Sequence, residues 1–264
     1  MRTPEIEDLA SQEENHWWFR ARRRILQAVL AGAGPPAKAR RVVDLGCGAA
    51  VDLGQLAPAE ASRVGIERAA SALRAARRRL RTRPAVAGSM TERNGLLLAC
   101  ADVTMLPLRD ACADLVFVLD VLEHLDDDAL ALREARRILV PGGLLLVTVP
   151  AWPFLWSEHD EALEHRRRYR RADLLERLRG AGFEIERESY FNFLLFAPAA
   201  LYRLVRRCIV CTGSARSAPP SSDTRRLGNL GGWLLERSMG AERFWVSRNR
   251  LPFGLSLLAL ARRR

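Results

Sequence analysis

Lysine is almost absent from this chain of 264 residues. Lys38 is the only one, so the formal net charge of +11 rests on arginine. A basic surface suits nucleic acid, an anionic membrane or an acidic substrate alike. The one-sided use of arginine reads equally as a coding bias, and nucleic acid is not the expected partner. The chain also lacks any run of about 18 apolar residues, which excludes a single-span membrane helix. Its N-terminus has no apolar stretch of the secretory type, and the expected location is the cytoplasm. Cysteine is sparse and odd in number, five in all, and sits mostly in apolar segments, the pattern of reduced thiols. Cys208 and Cys211 form a CxxC without a second pair or a nearby histidine, so no metal site is expected. What remains is enough chain for one large α/β domain with an appendage.

The stretch from Arg41 to Ala50, RVVDLGCGAA, organises the rest. Val42, Val43 and Leu45 form a short apolar run of buried-strand character. Gly46 and Gly48 then let the backbone turn tightly and approach a ligand with no Cβ in the way. The free N–H groups of the following helix supply a partial positive end, and Asp44 adds a carboxylate able to accept from an ammonium or a water. A purely structural strand-to-helix turn uses glycine too. Its downstream company favours a ligand. Residues 63–67 (RVGIE) read as a second strand ending in Glu67, about 20 residues beyond the turn, where such folds place a carboxylate for vicinal ribose hydroxyls.

DLGCG at 44–48, then Glu67, Ala101-Asp102, the run from Asp114 to Asp120 with Glu123-His124, and Pro141-Gly142-Gly143 follow in order. From about Arg41 to Pro150 this order resembles the motif set of class I S-adenosylmethionine-dependent methyltransferases. Within them the chain resembles a bacterial type 11/12-like branch that carries an HWWF(x)xRR segment, here His16 to Arg23. The family usually has a third glycine where this chain has Ala50. The resemblance implies an α/β, Rossmann-like fold: a seven-stranded, mostly parallel sheet with an antiparallel last strand beside strand five, and helices on both faces. It implies S-adenosyl-L-methionine as cofactor, held by Asp44, Gly46, Cys47, Gly48, Glu67, Arg68, Asp102, Val103, Asp120 and Val121. Asp102 and Val103 would meet the adenine, and Arg20 the methionyl carboxylate.

Residues 1–40 read as an N-terminal helical lid and linker. The aromatics Trp17, Trp18 and Phe19 either pack that helix on the domain or, as the resemblance implies, cover the cofactor. Residues 31–39 are a Gly/Pro-rich linker and 82–94 a polar loop. The core spans 41–190, with helices at 51–56 and 69–81 and strands at 95–100, 114–119, 144–149 and 183–189. A helix opened by Asp126 to Asp128 ends at Pro141-Gly142-Gly143. Residues 191–250 form a helical insertion with a disordered loop at 212–224, and 251–264 the last strand and a basic tail. Within the insertion, 194–209 reads as a basic amphipathic helix. It suits peripheral membrane contact, a greasy acceptor, or packing against the domain.

Three histidines are candidates for acceptor chemistry: His124 after strand four, and His159 and His165 in the loop after strand five. That loop resembles the HD(x)4H(x)RRY pattern of the same branch. Each histidine can act as a general base, hold the acceptor, or simply bond its loop. The expected reaction is methyl transfer to an oxygen, nitrogen or carbon of a small or lipid-linked metabolite. Two alternatives stay open: a non-catalytic protein that holds cofactor or RNA, and a cofactor-dependent rearrangement without methyl transfer. The oligomeric state is not read from the sequence.

Overall fold

The computed structural model describes residues 13–32, 39–82, 95–211 and 229–264. Residues 33–38 of the expected linker at 31–39, residues 83–94 of the polar loop at 82–94 and the disordered segment at 212–224 lie outside the described residues, as do the side chains of Cys208 and Cys211. In chain order the elements are α1 (Trp17–Gly32), β1 (Arg41–Leu45), α2 (Val51–Leu56), β2 (Ser62–Ile66), α3 (Ala70–Thr82), β3 (Leu96–Ala99) and β4 (Ala113–Leu119). There follow α4 (Asp128–Ile138), β5 (Leu139–Pro150), α5 (Glu158–Ala162), α6 (Arg171–Gly180) and β6 (Phe183–Phe191). The insertion contributes α7 (Phe196–Cys211), α8 (Asn229–Ala241) and α9 (Arg243–Val246) before β7 (Ser256–Arg263).

The seven strands lie in the order β3-β2-β1-β4-β5-β7-β6. β1 to β5 pair in parallel, and β7 runs antiparallel between β5 and β6. The strand order reverses at β1, whose two neighbours are β2 and β4, so a crevice opens at the carboxyl ends of β1 and β4.

Both faces of the sheet are covered, and the alternation along β4 shows how. Val116 and Val118 join the core under α4 and α6, with Leu132, Ile138, Leu174 and Leu178. Leu115, Phe117 and Leu119 join the opposite core, with Ile25, Leu26 and Val29 of α1 and Leu53 of α2. Each such large side chain contributes on the order of 1.5–3 kcal/mol on burial. α1 also packs on α8, where Arg20 and Arg24, one helical turn apart, both pair with Glu236 at 3.3 and 2.7 Å.

Two boundaries differ from expectation. Pro141-Gly142-Gly143 does not end α4, which stops at Ile138; it lies inside β5, where the register against β4 shifts between Ala113 and Leu115. The last strand begins at Ser256 and not at Leu251. Pro252 has no N–H to pair, and the backbone of Gly254 passes so close to Phe191 that no Cβ would fit. Asp127 caps α4 as its sequence suggests, accepting from the Leu130 N–H at 3.1 Å.

Candidate active site

The glycine turn sits at the carboxyl end of β1. Gly46 and Gly48 have φ of +76° and +50°, in the left-handed region that L side chains avoid. A Cβ on Gly46 would lie 2.5 Å from Val121 Cγ2, so the turn and the loop after β4 touch with no room between. Ala50, in the place of a third glycine, takes φ +55° as a glycine there would. Gly46 and Cys47 donate their N–H groups to the Ile66 carbonyl at 2.8 and 3.0 Å, which brings Glu67 beneath the turn. The Glu67 carboxylate accepts from Gly48 N at 3.1 Å and from Ala69 N at 2.7 Å. Glu13 accepts from Ala49 N at 3.3 Å.

A buried cation balances this acidic floor. Arg22 lies on the inner face of α1 and its guanidinium bonds both Asp52 and Asp120, while Arg23 donates to Asp52 Oδ1 at 3.2 Å. Burial works against the Arg22 charge, and Asp52 and Asp120 more than offset it, raising its pKa. Acid still exceeds base. Burial, reinforced by Asp52, raises the Glu13 carboxyl to about 8, and burial with Asp52 and Glu13 raises Asp44 well above the usual carboxylate range. Cys47, buried beside Asp44 and Glu67, is pushed up likewise. A ligand bearing a cationic ammonium and sulfonium would relieve that excess. The residues therefore suit S-adenosylmethionine. Asp44, the glycine turn, Glu67, Asp102 and Asp120 would hold it.

At the far side of β2, Asp102 accepts from Thr104 N at 2.8 Å and Thr104 Oγ1 at 2.6 Å, bonds that lower its pKa. Val103 beside it is buried, and the exposed Arg68 stands 3.9 Å from the Asp102 carboxylate. Asp120 takes φ +55°, an uncommon and mildly strained conformation for a non-glycine residue. Three contacts hold it there: its N–H donates to Thr148 O at 3.0 Å, Thr148 Oγ1 donates to its Oδ1 at 3.1 Å, and Arg22 binds Oδ2.

Beyond Asp120 the chain makes a single 3-10 turn, Leu122–His124, that points inward. Glu123 is buried, and its Oε2 has no hydrogen-bond partner among the described residues. Burial and the neighbouring Asp120 push its pKa well up. His124 packs edge-on against His165 at 4.8 Å between ring centroids, and burial with that neighbour lowers its pKa to about 4. His159 lies 6.3 Å from His165. The loop carrying both is pinned by Asp160, which accepts from His165 Nδ1 at 2.9 Å and Arg168 Nε at 2.7 Å and closes a capping box with Ser157. Trp152 anchors the loop's start by stacking on Tyr190 and donating to the Gly254 carbonyl at 2.9 Å. Part of the loop is thus a structural anchor, and His165 lies against His124.

One cavity of about 970 Å³ joins these parts. Every expected cofactor residue lines it except Arg20, which pairs with Glu236 on α8; of the α1 arginines Arg22 lines the cavity. His124, His159 and His165 line its other end, with Arg166, Arg168 and Arg203. Glu13, Arg22 and Asp52 were not among the residues picked from sequence. A signal for Arg22 exists: it shares a helical face with Ile25, Leu26 and Val29, whereas Arg20 lies about 200° around the helix from it.

The family described as methyltransferase domain matches residues 43–147. An uncharacterised 37.1 kDa protein of a Streptomyces fradiae transposon is 35% identical over 151 residues, covering 56% of this chain and 41% of that one. A Mycolicibacterium smegmatis protein described as a probable S-adenosylmethionine-dependent methyltransferase is 29% identical over 175 residues, covering 66% of this chain and 62% of its own. The match thus spans less than two thirds of either relative. Among solved structures, the N-methyltransferase NodS from Bradyrhizobium japonicum, in complex with S-adenosyl-L-homocysteine, superposes with a TM-score of 0.56 at 14% identity, over 98% of this chain and 97% of that one. Motif order, sheet topology and the match over residues 43–147 agree: the chain carries a methyltransferase domain and has the class I, Rossmann-like methyltransferase fold.

Proposed function

We propose that this protein moves a methyl group from S-adenosylmethionine to an oxygen, nitrogen or carbon of a small or lipid-linked metabolite. The observation that carries the reading is the continuity of one cavity from the glycine turn to the histidine cluster. When bound, the cofactor supplies an electrophilic methyl on a sulfonium. The chain has to align an acceptor, exclude water and, for a hydroxyl acceptor, take a proton. At the acceptor end His124 is neutral at physiological pH, because its pKa is lowered to about 4, which makes it a weak base and suits it to hold an acceptor group through its ring nitrogen. His159 and His165 serve as positioning groups on the same loop.

Charge and shape bound the acceptor. Arg166, Arg168 and Arg203 suit an anionic group, and Leu163, Leu195 and Pro198 suit an apolar one. α7 supplies part of the cavity wall and also exposes Leu201, Tyr202 and Val205 to the outside. That arrangement favours an amphipathic acceptor met at a membrane surface. No helix among the described residues is long and apolar enough to cross a membrane.

The test is transfer of a labelled methyl group to a panel of amphipathic acids, amines and phenols, free and lipid-linked, read by product mass. The reading expects a gain of one methyl in place of hydrogen. Cofactor binding with a mass-neutral conversion would favour rearrangement, and steeply salt-dependent RNA binding without transfer would favour the non-catalytic alternative.

A further inference from the structure

We propose that Glu123, His124 and His165 form a binding site for one divalent first-row transition-metal ion at the acceptor end of the cavity. Their ligand atoms, one from each side chain, all lie within 4.8 Å of one another. Metal–ligand bonds of about 2.0–2.2 Å require separations of roughly 3.0–3.5 Å between neighbouring ligands. Small side-chain rotations close that difference, since all three residues face the same cavity.

Three further observations point to an ion. Glu123 is 1% exposed, and its Oε2 has no hydrogen-bond partner among the described residues, although buried polar atoms are almost always satisfied. Both imidazoles are held from behind. His165 Nδ1 is bonded to Asp160 Oδ1 at 2.9 Å, which leaves Nε2 for the cavity, and His124 is hydrogen-bonded to the Glu164 backbone. A carboxylate or carbonyl behind a ligating histidine is the usual outer support of a metal centre. Asp160 is itself fixed by Ser157 N at 2.9 Å and Arg168 Nε at 2.7 Å. The two segments that supply the ligands are also tied to each other, since Arg166 N donates to Glu123 O at 2.6 Å. The triad is therefore preorganised.

The donor set selects the ion. Two imidazoles and one carboxylate suit Zn²⁺, Fe²⁺, Co²⁺ or Ni²⁺, whereas Mg²⁺ and Ca²⁺ prefer all-oxygen sites. Three protein ligands leave open positions toward the cavity, where an acceptor oxygen or nitrogen would bind. The site does not depend on methyl transfer, so its failure and the failure of that reading are separable.

The test uses the full chain, untagged and stripped with chelator, titrated calorimetrically with Zn²⁺ and followed with Co²⁺ by visible absorption. One ion per chain is expected. Glu123→Gln and His165→Asn should each weaken binding at least tenfold, and Asp160→Asn by roughly tenfold through His165. His159→Asn and the Cys208→Ser/Cys211→Ser pair should leave it unchanged. No binding to the unaltered chain, binding that survives both ligand substitutions, or binding lost with the cysteine pair would overturn the proposal. Circular dichroism checks that each variant folds. Should a ligand variant lose structure, anomalous diffraction from Zn²⁺-soaked crystals decides: a peak among the three side chains supports the site, and a peak elsewhere or none overturns it.

Discussion

Replacing Asp160 should destabilise the fold more than any other single change in the acceptor loop. The carboxylate is fully buried and accepts four hydrogen bonds, from Ser157 N and Oγ at 2.9 and 3.3 Å, His165 Nδ1 at 2.9 Å and Arg168 Nε at 2.7 Å. Burial alone would raise its pKa, but His165 and Arg168 hold it below the usual carboxylate range. Asp160→Ala strands the Arg168 guanidinium, itself 7% exposed, which among the described residues keeps a hydrogen bond to the Ala151 carbonyl at 3.0 Å. Breaking a buried pair from one side costs about 3–5 kcal/mol. Asp160→Asn keeps the shape and loses the charge, at about 1.5–3 kcal/mol for a charged hydrogen bond. The double variant Asp160→Ala/Arg168→Met removes both charges and should be more stable than Asp160→Ala alone. Urea unfolding at neutral pH measures all three. A cost below about 1 kcal/mol for Asp160→Ala, or a double variant no better than the single, would refute the reasoning.

Three other outcomes follow from particular contacts. Glu13 has its pKa raised to about 8 in the folded protein against 4.5 as its ordinary value, so the folded state keeps a proton that the unfolded state loses. Its contribution is intact below pH 4.5 and lost as pH rises through about 8. The stability gain of Glu13→Gln in thermal unfolding should therefore grow across that window, and a pH-independent difference would contradict it. Gly46→Ala forces a methyl onto Val121 at positive φ and should cost more than Gly48→Ala, whose methyl meets the movable end of Glu13; Val121→Ala should recover part of the loss, measured by denaturant midpoints. Tyr169→Phe deletes the hydroxyl that donates to the buried Asp128 at 2.7 Å and should cost about 1–3 kcal/mol in the same assay.

The β1 turn was legible because its physics is local. Gly46 and Gly48 need positive φ, Glu67 follows by chain length, and the apolar runs of β1, β4 and β5 mark strands covered on both faces. The antiparallel place of β7 came from family resemblance, since no local pattern orients a final strand. Boundaries slipped where tertiary contact decides: the bulge at 140–143 depends on the β4 register, and the start of β7 on how closely Gly254 crosses Phe191. In the site, the resemblance implies Arg20, whereas helical periodicity puts Arg22 with the core residues. The triad of Glu123, His124 and His165 joins two segments about 40 residues apart, and no spacing rule connects them.

The most direct measurement is calorimetric titration of the purified chain with S-adenosyl-L-homocysteine, beside Glu67→Ala. Glu67 sits under the glycine turn, bonded to Gly48 N and Ala69 N. The account predicts one saturable site per chain, weakened at least tenfold, about 1.4 kcal/mol, in the variant. Absence of binding to the unaltered chain, or equal binding in the variant, would contradict the assignment of this cavity to the cofactor.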